Sequence, residues 1–332
     1  MQIFEPEKFE TKLIDDLNYI LDNREYAKGV ITVSEMSHVQ RRFLNGALRQ
    51  VKPKKILELG VSAGGSAAII LNAIKDLNYS KLYSIDYNNF YWRDPSRKVG
   101  FLINDKFNNI SDKWELYTGG LAAKFLDKIG DEIDFCLLDT MHMNPGEFID
   151  FLMVLPYLKK NAILIIHDTI LHKTYPNCIT CGILFSALKG IKITPDENDF
   201  YSIGNIGLVI LDDDIKERIY DYFHLLTLPW SYLPSNEDIM IIEEFIKRHY
   251  GENYAKMFLA IALHYKDKLS IINTDLDSKI INLDSKIINL DNKINNIVNN
   301  VDNKIDNIIN TLAWWIPNKK KRDEFRRKMH NS

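Results

Sequence analysis

Apolar residues recur over the first fifty positions at the three- and four-residue steps of amphipathic helices. "EKFETKLIDDLNYILDN" (7–23) has this spacing. A second helix starts near "TVSE" (32–35), where Thr32 and Glu35 suit a capping box, and runs to about Arg49 before Pro53 stops it. Beyond Pro53 the period changes. "KKILELG" (54–60), "KLYSID" (81–86), "WELYTG" (114–119), "IDFCLLD" (133–139) and "AILIIHD" (162–168) are short apolar runs that read as strands. Between them lie helical stretches: "SAAIILNAIKDL" (66–77), a segment within 97–109, "AAKFLDKI" (122–129) and "PGEFIDFLMVLPYL" (145–158). This alternation implies an α/β fold with a parallel sheet covered on both faces. "IKITP" (191–195) and "NIGLVIL" (205–211) have only a loop between them, which predicts an antiparallel pair at the sheet edge and seven strands in all. Residues 212–268 read as mainly helical.

Another change comes near Asp275. "DSKIINL" occurs twice in tandem, at 277–283 and 284–290, and "DNKINNI" follows. Leu276, Ile280, Leu283, Ile287, Leu290, Ile294, Ile297 and Val301 form a seam whose steps alternate four and three, the period of a coiled coil. The step from Val301 to Ile305 is a local stutter, and Ile308 and Leu312 resume the seam. Then "WWIPNKKKRDEFRRKMH" (314–330) sets two tryptophans before a basic run. The expected organisation is therefore N-terminal helices at 1–50, an α/β domain at 51–211, a helical extension at 212–270, a coiled coil at 275–312 that makes a homo-oligomer, and a Trp/basic segment at 313–332.

Composition narrows the class. The chain has 332 residues, 46% hydrophobic and 26% charged, as a soluble globular protein has. A formal charge of −3 gives no global sign of nucleic-acid binding. No apolar run approaches the roughly 20 residues that span a bilayer. The start "MQIFEPEKFE" does not read as a secretory signal, and three cysteines suit a reducing cytoplasm. Cys178 and Cys181 make a lone C-x-x-C with no second pair to complete a zinc site, so free thiols are expected.

The candidate chemistry sits at the ends of the strands. "ILELGVSAGGS" (56–66) joins a strand to a helix, and glycines at 60, 64 and 65 let backbone approach a ligand. The spacing fits neither a dinucleotide fingerprint nor a Walker loop. Glu58 would place a carboxylate at the first strand tip. Asp86, at the next tip, is placed to accept the hydroxyls of a ribose. "IDFCLLDTMHMN" ends a buried strand in Asp139 with His142 three residues on, and "AILIIHD" ends in Asp168. Two such carboxylates can converge on a hard divalent ion, or they can cap the helices that follow.

These segments resemble the class I S-adenosylmethionine (SAM)-dependent methyltransferases over about residues 35–211. They look most like the sugar O-methyltransferase and macrocin O-methyltransferase group, which includes proteins named cephalosporin hydroxylases. The resemblance implies a Rossmann-like fold and SAM as cofactor. It puts Glu58, Gly60 and Gly64 at the methionine end, Asp86 at the ribose, and Gly119 and Gly120 near the adenine, with Ser62, Ser66 and Asp139 also binding the cofactor. It implies His142 as general base beside a metal held by Asp139 and Asp168. His167 stands where relatives commonly carry an acid, and a His/Asp/Asp set suits Mn²⁺ or Fe²⁺ better than Mg²⁺. His172 is a weaker candidate for substrate contact.

The resemblance further implies a sugar or nucleotide-sugar acceptor in bacterial surface polysaccharide synthesis, capsule or lipooligosaccharide. Trp230 and Tyr232, between Pro229 and Pro234, could stack on a sugar or pack on the domain. A phenolic or antibiotic-like acceptor, and a non-catalytic oligomeric scaffold, stay open. The Trp/basic segment is expected to touch the inner face of the cytoplasmic membrane, against the alternatives of a solvated charge run and a protein-docking element.

Overall fold

The computed structural model describes residues 4–10, 13–22, 33–196 and 204–330. The chain divides into two units, Met1–Lys266 and Asp267–Ser332.

The first unit is built on a seven-stranded sheet. Its strands are β1 (Lys55–Leu59), β2 (Lys81–Asp86), β5 (Trp114–Thr118), β6 (Ile133–Leu138), β7 (Leu158–His167), β8 (Gly190–Ile193) and β9 (Ile206–Leu211), in the order β5-β2-β1-β6-β7-β9-β8. β1 pairs in parallel with β2 and β6, β2 with β5, and β6 with β7. β9 is antiparallel to both β7 and β8. A separate hairpin pairs β3 (Phe90–Tyr91) with β4 (Asp94–Lys98). This is a Rossmann-like fold with an antiparallel edge.

Two apolar clusters sandwich the sheet, and the two-residue period of the strands sorts side chains between them. Leu57, Leu59, Cys136 and Leu138 face one cluster, whereas Ile56, Phe135 and Leu137 face the other. The first cluster is covered by α6 (Gly146–Val154), α7 (Thr180–Ala187), α8 (Ile219–Leu225), α9 (Asn236–Tyr250) and the start of α10 (Glu252–Trp314). The second is covered by α1 (Leu13–Leu21), α2 (His38–Val51), α3 (Gly65–Ile74) and α4 (Phe101–Lys106). Each fully buried Leu or Ile contributes roughly 1.5–3 kcal/mol, so continuous apolar strands are what this layering requires.

Two local expectations need correction, and a third is sharpened. α2 starts at His38, and its capping box joins Ser37 to Gln40. Glu35 has φ +55° and is not helical, and Thr32 lies outside the described residues. The predicted 122–129 helix is only a 3-10 turn, Ala122–Lys124, followed by α5 (Leu126–Ile129). The edge pair is correctly antiparallel, but β9 takes the place next to β7 and leaves β8 outermost. Every residue of β9 except Ile210 is buried, whereas β8 carries half-exposed ends and an exposed middle. The more apolar strand takes the interior position. The β3–β4 hairpin and α7 carry no periodic signal that predicts them.

In the second unit, α10 continues to Trp314 and α11 (Lys319–His330) follows. Seam residues from Leu283 to Leu312 are 47–62% exposed. The side chains of Leu276 and Ile280 are outside the described set.

Candidate functional site

β1, β2 and β6 run parallel, so their carboxyl ends open on one side, where ligands bind in sheets of this kind. A cavity of about 870 Å³ lies there. Gly60 has φ +87°, and a Cβ on it would sit 1.8 Å from the Asp139 carbonyl oxygen. The turn after β1 and the tip of β6 therefore meet backbone to backbone, which only glycine permits. Asp86 shapes the same turn. Its Oδ2 accepts from the N–H groups of Val61 and Ser62, each at 3.0 Å, and its Oδ1 accepts from Asn88 N–H at 2.8 Å. A carboxylate oxygen accepts two bonds, so Oδ1 keeps one place for a ligand hydroxyl and Oδ2 keeps none.

Gly60, Ser62, Ser66, Asp86, Asp139 and His142 line the cavity. The Ser62 hydroxyl is buried without a partner. Glu58 does not line it. It is fully buried, and its two oxygens accept from Ser66 Oγ (2.5 Å) and Ser84 Oγ (2.6 Å). Burial outweighs these bonds and pushes its carboxyl up to about 7. Glu58 thus ties β1 to β2 and α3 and is not placed for a ligand. Gly64 caps α3 with φ +99°, and Gly119 packs on Asn89; neither lines the cavity, whereas their neighbours Gly65 and Gly120 do.

Next to this turn, at the ends of β6 and β7, Asp139, His142 and Asp168 converge. Their ligand atoms all lie within 4.8 Å of one another. His142 Nε2 is 3.3 Å from Asp168 Oδ2 and 3.7 Å from Asp139 Oδ1. Asp168 stands behind the lining, with Oδ1 accepting from Asn205 Nδ2 at 2.6 Å. His167 is not free to be a ligand. Nδ1 meets Asp139 Oδ1 at 3.2 Å, Nε2 meets Gln40 Oε1 at 3.1 Å, and the ring is buried. His167 Nδ1 also lies 3.4 Å from Asp168 Oδ2, so two imidazoles join the two carboxylates, and the one at the cavity is His142, in the tight turn after β6 where its φ is +61°.

Glu147 joins this cluster without any forewarning in the linear spacing; it comes from the first turn of α6. It sits fully buried behind His142, accepts from its backbone N–H, and is 3.3 Å from Nδ1. Its Oε2 has no partner. Cys181 Sγ is 3.6 Å from the same nitrogen, and both C-x-x-C thiols are free. Burial lowers the His142 pKa, but Glu147 and the charges of Asp139 and Asp168 more than reverse this and hold it up at about 9. Asp168 is opposed by burial and yet held down to about 2 by His167 and His142.

The rim is aromatic and acidic. Tyr87, Phe90, Trp92 and Tyr232 line the cavity, with Glu35, Asp150 and Asp238. Arg93 bonds Glu35 at 3.0 Å, and burial raises the Glu35 carboxyl. Trp230 is in the core, stacked on Tyr265 at 5.3 Å, while Tyr232 alone of that pair reaches the cavity. His172 is not among the lining residues.

Residues 57–169 match the family model described as a methyltransferase domain. That segment runs from within β1 to just past β7. The chain is also similar to solved structures. One is the O-methyltransferase TomG from Streptomyces achromogenes in complex with SAM, at 13% identity and TM-score 0.45, covering 61% of this chain and 91% of that one. Another is an O-methyltransferase from Bacillus cereus in complex with SAH, at 14% identity and TM-score 0.45, covering 63% and 100%. A third is an SAH-bound methyltransferase from Podospora anserina, at 15% identity and TM-score 0.44, covering 63% and 92%. No curated protein matches the chain in sequence. The domain's glycine turn, Asp86 and the Asp139–His142 turn all fall within the matched residues.

Proposed function

We propose that the protein is a SAM-dependent O-methyltransferase acting on a sugar hydroxyl in bacterial surface polysaccharide synthesis. One observation carries this reading: the glycine turn and the Asp139–His142 turn line the same cavity. The residues fit the cofactor. The Gly60 cradle would be filled by a Cβ, the Ser62 hydroxyl lacks a partner, and Asp86 Oδ1 has one place left. When bound, SAM supplies an electrophilic methyl group to an incoming oxygen.

The chain's own task is to position the acceptor and take its proton. Glu147 holds the Nδ1 side of His142, so Nε2 is the nitrogen that takes the proton from the acceptor hydroxyl, in the neutral form that is populated as pH rises toward about 9. Asp139 and Asp168 also suit a divalent ion such as Mn²⁺, which would acidify that hydroxyl and, by offsetting the carboxylate charge, lower the His142 pKa toward that of a base. What supports a sugar is the rim. Flat faces of Phe90, Trp92 and Tyr232 suit the C–H faces of a pyranose, and Glu35 and Asp238 suit its hydroxyls.

The exposed seam of α10 supports a second reading about assembly: copies of the chain pair through a coiled coil at 275–312, which buries those isoleucines and leucines.

The test is calorimetric titration with SAM and SAH, then incubation with SAM and a panel of nucleotide-sugars and catechols, read by mass spectrometry. Binding with methylation of a sugar is the expected result. Absence of SAM binding overturns the activity, and methylation of catechols alone overturns the sugar.

A further inference from the structure

Past the seam the chain turns back on itself. α11 lies against the end of α10, where His330 Nδ1 meets Asp306 Oδ1 at 3.4 Å and Ile309 and Ala313 are buried. The turn is well braced. Asn318 Oδ1 accepts from the N–H groups of Lys320 (3.0 Å) and Lys321 (3.3 Å), which caps α11. Arg322 donates twice to the Ile316 carbonyl, at 3.1 and 2.9 Å, and its guanidinium lies 5.4 Å from the centroid of Trp314. Yet this closed hairpin leaves its two largest apolar side chains outside. Trp314 is 73% and Trp315 80% exposed, side by side at the tip. Next to them α11 carries seven Lys and Arg against two acids, a formal charge of +5. The acids are already engaged, Asp323 with Arg326 at 3.6 Å and Glu324 with Lys328 at 3.7 Å. Lys319, Lys320, Lys321 and Arg327 point into solvent.

We propose that this hairpin docks on the surface of an anionic lipid bilayer, with the Trp pair in the interface and α11 on the headgroups. The chemistry selects that partner. Indole rings partition to the membrane–water interface, and clustered cations are drawn to anionic headgroups. A nucleic-acid duplex or an acidic polymer would reward the cations but leave two adjacent indoles in water, and a single strand, whose bases could stack on them, is an outcome of the test. A second copy of α11 would repel the first. Among the described residues no helix is long and apolar enough to cross a membrane, so the hairpin lies on the surface. The proposal stands apart from methyl transfer and does not depend on it.

The test uses the full chain with sedimenting vesicles of phosphatidylglycerol and phosphatidylethanolamine, against vesicles of phosphatidylcholine alone. The chain should sediment with the first at low salt, be released at high salt, and stay in solution with the second. Reversing Lys319, Lys320 and Lys321 to Glu should weaken partition more than tenfold, since each basic residue near the surface is worth about fivefold. Trp315→Ser should weaken it several-fold. That side chain is so exposed that its loss leaves the hairpin folded, and an unchanged helical circular dichroism signal checks this. Equal sedimentation with both vesicle types, or wild-type partition in both variants, overturns the proposal. So does a chain that ignores anionic vesicles and is retained by heparin or single-stranded RNA.

Discussion

Glu58 in β1 and Asp168 just past β7 are both carboxylates near strand ends, the first fully buried and the second partly, and they differ in what they face. Glu58 faces two hydroxyls and is pushed up to about 7; Asp168 faces two imidazoles and an amide and is held at about 2. Hydroxyl donors do not repay the desolvation of a charge, whereas a cation does. One carboxylate therefore becomes framework, bonded into β1, β2 and α3. The other keeps its charge and helps to form a reactive wall. The glycine-turn side of the cavity is accordingly a neutral cradle with Asp86 as its charge, and the β6–β7 side carries the charged cluster.

The largest effect expected from this contrast is on turnover. His142→Ala should lower kcat by ~10²–10⁴ and leave SAH affinity, measured by calorimetry, where it was. A variant with near wild-type turnover would remove His142 from the chemistry and make the charged wall structural. Next comes stability. Asp168→Asn strips His167 and His142 of a charge partner in a buried setting, which costs roughly 3–5 kcal/mol, toward the lower end because Asp139 still faces His167. Urea unfolding of metal-free protein measures it, and a loss well under 1 kcal/mol would show that the cluster is not charged as described.

Glu58→Gln should act in the opposite direction. A folded-state pKa raised from 4.5 to about 7 gives stability that is present below pH 4.5 and lost as pH rises through 7. The rise corresponds to roughly 3 kcal/mol. Urea curves at pH 5 and pH 8 should therefore show the wild type losing stability relative to the Gln variant, by up to that amount. Parallel curves would mean that Glu58 is ionised throughout. The smallest effect belongs to Asp86→Ala, which should weaken SAM binding about tenfold, since bonds to a charged acceptor are worth roughly 1.5–3 kcal/mol. Affinity unchanged in titration would place the ribose elsewhere.

Much of the frame is legible in the amino-acid sequence alone. The apolar runs at 56–59, 82–85, 133–138 and 162–167 are strands because buried parallel strands need unbroken apolar sequence. The 3.6-residue spacing of 38–51 and 236–250 is helical because one face of each is buried. Of the site residues, Gly60, Asp86, Asp139 and His142 are legible because each stands where a strand ends, a position fixed by its neighbours in the chain.

The features that the sequence hides depend on residues far apart. Glu58 reads as a ligand group, but Ser66 and Ser84, 8 and 26 positions away, turn it inward. His167 reads as a metal ligand because Gln40, 127 positions earlier, is invisible as its partner. β9 displaces β8 from the interior because burial is a competition between strands, and no single strand reveals its outcome. Glu147 and the fold-back of α11 on Ile309 and Ala313 belong to the same class. Local periodicity sets which segments are helix or strand, since hydrogen bonding and the alternation of faces act between near neighbours. Burial and electrostatic partnership act between surfaces that meet only when the chain is folded, and those decided which carboxylates stay charged and which reach the cavity.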